Sequence, residues 1–164
     1  MDSNLPEDKQ EQARELFQRA YQAQMAGELD RAVALYKSSI AICPTAEAHT
    51  FLGWTYHFQG DTQGAIDECK RAIEVDPSFG NPYNDIGAYM IDLGRYDEAI
   101  FWLEQAIRAP RYEPRQFPHF NLGRVYLAKG NFVRARQCFQ EALRIEPDYL
   151  LAQRALGRLR HMMN

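Results

Sequence analysis

Apolar positions along this chain keep the period of a helix. In one stretch Leu52 and Tyr56, then Ala65, Ile66, Cys69, Ala72 and Ile73 beyond a break at Gly60, recur at intervals of three and four. That interval holds apolar side chains on a single helical face. No segment shows the strict alternation of a half-buried strand. The helix–break–helix pattern is then written four times. The glycine at the break recurs at Gly27, Gly60, Gly94 and Gly130, with separations of 33, 34 and 36 residues. An alanine follows it at Ala32, Ala65, Ala99 and Ala135, and a proline closes the units at Pro44, Pro77, Pro110 and Pro147, with Pro110 one place early. The pattern predicts helices near 6–26, 29–42, 45–58, 62–75, 82–93, 96–108, 115–129, 132–145 and 148–161.

Each punctuating residue has a physical reason. A glycine before the second helix suits a turn that needs positive φ. The residue before a proline is pushed out of α geometry, so Asp76-Pro77 and Glu146-Pro147 should end helices. Asn81-Pro82 reads as an N-cap followed by proline at the first helical position. Gly53, Gly87 and Gly123 fall inside helices, where glycine costs about 1 kcal/mol relative to alanine. Close approach of two helix backbones would offset that cost, with Ala65, Ala99 and Ala135 among the small residues opposite. One such pair cannot bury its apolar face alone, so neighbours must stack on it.

This spacing resembles the tetratricopeptide repeat, whose pattern is Trp-x2-Leu-Gly-x2-Tyr, then Ala-x3-Phe, then Pro. The second unit reads His49, Leu52, Gly53, Tyr56, Ala65, Cys69, Pro77, and the fourth reads His119, Leu122, Gly123, Tyr126, Ala135, Phe139, Pro147. The third has Tyr83, Ile86, Gly87, Met90, Ala99 and Leu103, with Arg111 at the proline slot. The first departs most, with Leu16, Arg19, Ala20, Ala23, Ala32, Tyr36 and Pro44. The resemblance implies an all-α, right-handed superhelical solenoid of antiparallel helix pairs. Residues 1–12 form an N-terminal extension leading into the first helix, and 13–147 hold four repeats, about 13–45, 46–79, 80–115 and 116–149 by motif. Residues 148–164 repeat the first-helix pattern with Leu156-Gly157 and read as a C-terminal capping helix and tail. The proline cluster Pro110, Pro114 and Pro118 marks a longer loop between the third and fourth units.

Composition narrows the function classes. The chain has 164 residues, 46% hydrophobic and 25% charged, which suits a folded domain rather than a disordered one. No signal peptide is evident at the start, and no stretch reaches the roughly 18 apolar residues of a membrane span. A cytoplasmic location with no membrane partner is therefore expected. Three scattered cysteines, Cys43, Cys69 and Cys138, form no CxxC and read as reduced thiols. No HExxH, GxSxG, Walker or GxGxxG sequence occurs, so neither enzyme activity nor a cofactor, metal or catalytic site is expected. His49 and His119 occupy the repeat slot that often holds Trp, which points to packing. The net charge of −3 is uneven. Residues 1–110 hold 9 Lys/Arg and 18 Asp/Glu, while residues 111–164 hold 10 and 4. No basic-aromatic stripe accompanies the basic end, so nucleic acid is not an expected partner.

In the family the first helix of each pair lines a concave groove in which peptides lie. The resemblance places Phe17, Tyr21, Thr50, Trp54, His57, Asn81, Asn84, Phe117, Asn121, Arg124, Arg154 and Arg158 on that face. Trp54 follows Leu52-Gly53 at a position that packing within the repeat does not need. With Phe17 and Tyr21 it would make an aromatic floor for an apolar side chain; filling space beneath the first helix is the alternative. Asn84 and Asn121 could hold an extended peptide backbone, or simply be surface polarity. Arg124, Arg154 and Arg158 could meet a carboxylate, or be solvated. The basic residues of an Hsp70/Hsp90-type carboxylate clamp are missing from the matching slots, which hold Phe17, Tyr21, Phe51, Asn81 and Asp85, or Thr50, Trp54, Asp85, Phe117 and Asn121. The expected function is a non-catalytic scaffold that binds a partner peptide. Weak self-association through oppositely charged ends is the alternative, and carriage of an apolar small molecule is the third reading.

Overall fold

The computed structural model describes residues 5–163. Among them lie nine helices and no strand: α1 (Glu7–Met25), α2 (Leu29–Ile42), α3 (Ala46–Phe58), α4 (Thr62–Val75), α5 (Asn81–Asp92), α6 (Tyr96–Arg108), α7 (Gln116–Ala128), α8 (Phe132–Ile145) and α9 (Leu150–Met163). Every predicted helix is present; α2, α4, α6 and α8 match the expected ranges at both ends, and the others differ by one or two residues, the usual uncertainty of a fraying terminus. Asn81 is itself the first residue of α5 rather than a cap outside it. Residues 1–4 of the expected extension and residue 164 of the tail lie outside the described residues.

The local signals act as their chemistry requires. Gly60 has φ 87°, a left-handed conformation that strains any side-chain-bearing residue. It lets the Asp61 amide reach back to the Tyr56 carbonyl at 2.9 Å, closing α3. The Asp61 carboxylate then accepts from the Gly64 amide at 2.8 Å and opens α4. Thr45 caps α3 in the same way through Ala48, and Asn131 caps α8 through Arg134. The residues before the closing prolines, Cys43, Asp76, Ala109 and Glu146, are all extended, as proline demands of its predecessor.

The chain forms two compact units, residues up to Pro82 and residues from Tyr83 on. In the first, α1 packs on α2, α3 on α4, and α2 on α3. Its core gathers Ala20, Ala23, Ala32, Tyr36 and Leu52, with Phe17, Phe51 and Tyr56 packed against them. The slot that often carries Trp in this repeat pattern holds buried His49, whose Nδ1 lies 2.7 Å from the buried Glu68 carboxylate. Arg71 pairs with the other Glu68 oxygen, so a polar bridge replaces an apolar contact between α3 and α4.

In the second unit α6 packs on α7, α7 on α8, and α8 on α9. Phe139, Ala135, Ala155 and Leu159 form one core, and Ala106, Ala109 and Tyr112 another. The expected longer loop is there, between Arg108 and Gln116. Tyr112 anchors it from inside, and Arg115 donates to the Ala109 and Pro110 carbonyls from outside.

The reason for the mid-helix glycines is sharper than small residue against small residue. At Gly53 an added Cβ would lie 2.9 Å from the Ala65 carbonyl oxygen. At Gly123 it would instead meet the Phe139 ring, closer than 3.0 Å to three of its atoms. The large residue four after the alanine, not the alanine alone, demands the glycine there.

Candidate functional site

The first helices of the first unit, α1 and α3, bring an aromatic cluster together. Phe51 is its centre. Its ring meets Phe17 at 5.4 Å, Tyr21 at 5.7 Å and Trp54 at 5.8 Å, each edge to face, and Trp54 continues the row to Phe58 at 5.3 Å. This arrangement matches the quadrupoles of the rings and makes the surface stiff. Phe17 is half-buried, like Phe51, and lies against Tyr36 at 5.5 Å. The outer members remain open to solvent: Tyr21 is 42% exposed, Met25 52%, Trp54 37% and Phe58 53%. His57 is half-buried beside Phe58, 6.5 Å between ring centres. Met25 carries no motif signal; its position four residues after Tyr21 on α1 is the only hint the sequence gives.

Other candidates are engaged differently from expectation. Thr50 is buried, and its hydroxyl donates to the Ala46 carbonyl at 2.7 Å, so it is directed into its own helix. Asn81 is half-buried at the start of α5. Asn84 and Asn121, both buried, bond to each other: Asn121 Nδ2 donates to Asn84 Oδ1 at 3.0 Å. Arg124 Nη1 donates to Asn121 Oδ1 at 3.0 Å, and its Nη2 lies 3.8 Å from Asp92. These groups form a polar network between α5 and α7, buried at the two asparagines and open to solvent at Arg124 and Asp92.

Asp85 adjoins that network. Loss of hydration on burial pushes its carboxyl up to about 7, against a hydrogen bond with Asn84 that favours the charged form. Burial also raises the nearby Tyr112 hydroxyl, and the Asp85 charge raises it further. The folded unit therefore holds the Asp85 proton more tightly than the unfolded chain does. Between about pH 4 and pH 7 the folded state binds more protons than the unfolded state, so this group's contribution to stability falls as pH rises. Asp85→Asn should then stabilise the chain. The gain should grow from pH 4 to pH 7 and level off above, which denaturant melts of both proteins at pH 4.5, 6 and 8 would measure.

Phe117 and Phe120 hold the Tyr149 ring between α7 and α9, at 5.6 and 5.2 Å. Phe117 is 37% exposed. Arg154 and Arg158 are exposed on α9. With Phe120, Leu151, Gly157 and His161 they line a concavity of about 530 Å³. Leu151 and His161 carry no motif signal, but they stand three residues before Arg154 and three after Arg158. Among the described residues no group of three or more His, Cys, Asp or Glu is placed to hold a metal ion, and no helix is long and apolar enough to cross a membrane.

Family models described as tetratricopeptide repeat match residues 46–79 and 82–111, and again 117–149, together more than half of the chain. The chain is 26% identical to the type IV pilus assembly protein PilF of Pseudomonas aeruginosa, over 73% of this chain and 48% of that protein. It is 30% identical to human DnaJ homolog subfamily C member 7, over 65% of this chain and 22% of that protein. It thus spans about half or less of the length of these curated relatives. Among solved structures, Pseudomonas aeruginosa PilF superposes with a TM-score of 0.86 at 22% identity, covering 94% of this chain and 70% of that one. The type IV pilus biogenesis factor PilW gives 0.83 at 18% identity, covering 92% and 69%. At these identities the likeness establishes the fold. The repeated glycine, alanine and proline signals, the paired helices they produce and the matching family models agree: the chain belongs to the tetratricopeptide-repeat family.

Proposed function

We propose that this protein is a non-catalytic scaffold that binds a partner peptide on the first-helix face of its first unit, formed by α1 and α3. Tetratricopeptide-repeat proteins generally hold other proteins, and that much comes with the family. The observation behind the finer reading is the row Tyr21, Phe51, Trp54 and Phe58, joined ring to ring yet open to solvent at Tyr21, Trp54 and Phe58. Folding alone gives no reason to leave such large rings half in water, whereas a partner's apolar side chain would complete their burial. Similarity to a pilus assembly protein is in keeping with a scaffold role, and the partner is read here only as a peptide with an apolar anchor.

The test compares two exposed rings. Phe58 lies on a first helix, and Phe101, 54% exposed, lies on the second helix α6. Proteins retained from native-host extract by the immobilised chain should be lost with Phe58→Asp and kept with Phe101→Asp. The reverse result would move the binding surface to the second helices.

A further inference from the structure

Helix α9 repeats the first-helix signature without a second helix to justify it. The slots that hold His119, Leu122, Gly123 and Tyr126 on α7 hold Gln153, Leu156, Gly157 and Arg160 on α9. In three helix pairs the glycine of that slot is there for the helix that follows. A Cβ at Gly53 would lie 2.9 Å from the Ala65 carbonyl oxygen, at Gly87 it would fall on Leu103, and at Gly123 on the Phe139 ring. What it meets is an alanine of the second helix or the larger residue four places on. Gly157 has nothing within 4 Å. It lies inside α9 and has no positive φ. Neither backbone conformation nor packing among the described residues calls for glycine there, and glycine weakens a helix relative to alanine.

The flanking slots have turned polar. His49 is buried and Tyr126 half-buried, whereas Gln153 and Arg160 are exposed. A face always in water has no use for the glycine, and a face always covered has no use for the two polar side chains. A face covered part of the time uses both. Leu156 and Arg160 stand on the flank of α9 opposite Leu151 and Arg158. With Leu159 and Met163, and with Arg136 and Gln140 of α8, they line a concavity of about 390 Å³. Arg136 and Arg160 are exposed, and no described residue forms an ion pair or hydrogen bond with either.

The complete pairs specify what fits. The glycine needs an alanine followed four residues later by a larger apolar side chain, as in Ala99 and Leu103 or Ala135 and Phe139. The residue before that alanine faces the Tyr slot: Arg134 precedes Ala135, and its Nη1 donates to the Tyr126 hydroxyl at 3.4 Å. With Arg160 in the Tyr slot, the matching residue is an acid. We propose that α9 is half of a repeat completed by another protein, whose amphipathic helix carries the pattern (Asp or Glu)-Ala-x3-(Leu or Phe) and lies over Leu156, Gly157 and Arg160 beside α8. Its acidic residues would meet Arg160 and Arg136. A second copy of this chain is a poor source, because Ala32, Ala65, Ala99 and Ala135 are all fully buried in their own pairs. The site is separate from the α1 and α3 face.

The probe is the peptide Ser-Pro-Glu-Glu-Ala-Lys-Gln-Ala-Leu-Glu-Gln-Ala-Leu-Lys with both ends blocked, titrated into the isotope-labelled full chain and followed by amide NMR. So short a helix is marginal by itself, so binding is weak and NMR is the suitable readout. Amides from Leu156 to Met163 in α9 and from Arg136 to Gln140 in α8 should shift. Gly157→Leu should weaken binding at least about tenfold, and so should leucine in place of the peptide's first alanine. Gly157→Ala should also weaken binding while raising the melting midpoint, so the loss cannot be a loss of folding. Lysine in place of the glutamate before that alanine should cost about threefold, and Arg160→Glu should restore the lysine peptide. Absence of binding, or equal binding by Gly157→Leu, overturns the proposal. Shifts confined to α1 and α3 would assign the peptide to the aromatic face and overturn it too. So would a light-scattering mass above 19 kDa that Gly157→Leu abolishes, because the occupant would then be a second copy of this chain.

Discussion

Trp54→Ala should weaken binding of the partner peptide by about 2 kcal/mol or more, roughly thirtyfold, with little dependence on salt. Trp54 is 37% exposed, so the free protein already covers most of the ring and a partner would finish the burial. It is also pre-positioned, edge-on to Phe51 and tilted against Phe58. A side chain already held in place loses little conformational freedom on binding, and that favours affinity. No formal charge is removed, so screening should alter the loss little. Folding should suffer less than binding, because the inner rings Phe17, Tyr36 and Phe51 keep their mutual contacts. Titration calorimetry at two ionic strengths, with a denaturant melt of the same variant, separates the two effects. An unchanged affinity would remove Trp54 from the site.

Gly123→Ala should destabilise the second unit, although alanine is the better helix former. Propensity alone predicts a gain of about 1 kcal/mol. Packing opposes it: the new methyl group would land on the ring of Phe139, which is fully buried. A ring held on all sides by Ala135, Ala155 and Leu159 has no ready way to retreat. Overpacking of this kind costs about 1–3 kcal/mol, so a net loss is expected. Gly157→Ala provides the control, because it fills the same motif slot on α9 with nothing within 4 Å. There the propensity gain should stand alone, and the melting midpoint should rise. If both substitutions stabilise, close approach is not what selects glycine at position 123.

The periodic pattern carried the helices, their order and their breaks because those depend on neighbours along the chain. Glycine at position 60 reports its own φ, and proline at 77 reports the conformation of Asp76. The aromatic face was legible in part for the same reason: Trp54 stands at a slot that packing inside one repeat leaves over. What periodicity supplies is a face, not a partner. Asn84 and Asn121 lie on the expected face but 37 residues apart, and their mutual bond depends on how α5 meets α7. Thr50 occupies an inward slot, yet its hydroxyl has a carbonyl four residues back within reach. The slot of His49 pointed to packing, but its buried acidic partner Glu68 is 19 residues away. Arg154 and Arg158 stood out as charges. That they lack partners while Arg124 has two is a fact of tertiary placement.

The central claim is that a partner rests on the α1 and α3 face, and a hydrogen-exchange footprint of the bound complex tests it most directly. Amides in α1 from Phe17 to Met25 and in α3 from Phe51 to Phe58 should gain protection when partner is added, while those of α2 and α4 remain as in the free chain. Protection confined to α2 and α4, or absent from the whole first unit, would contradict the account.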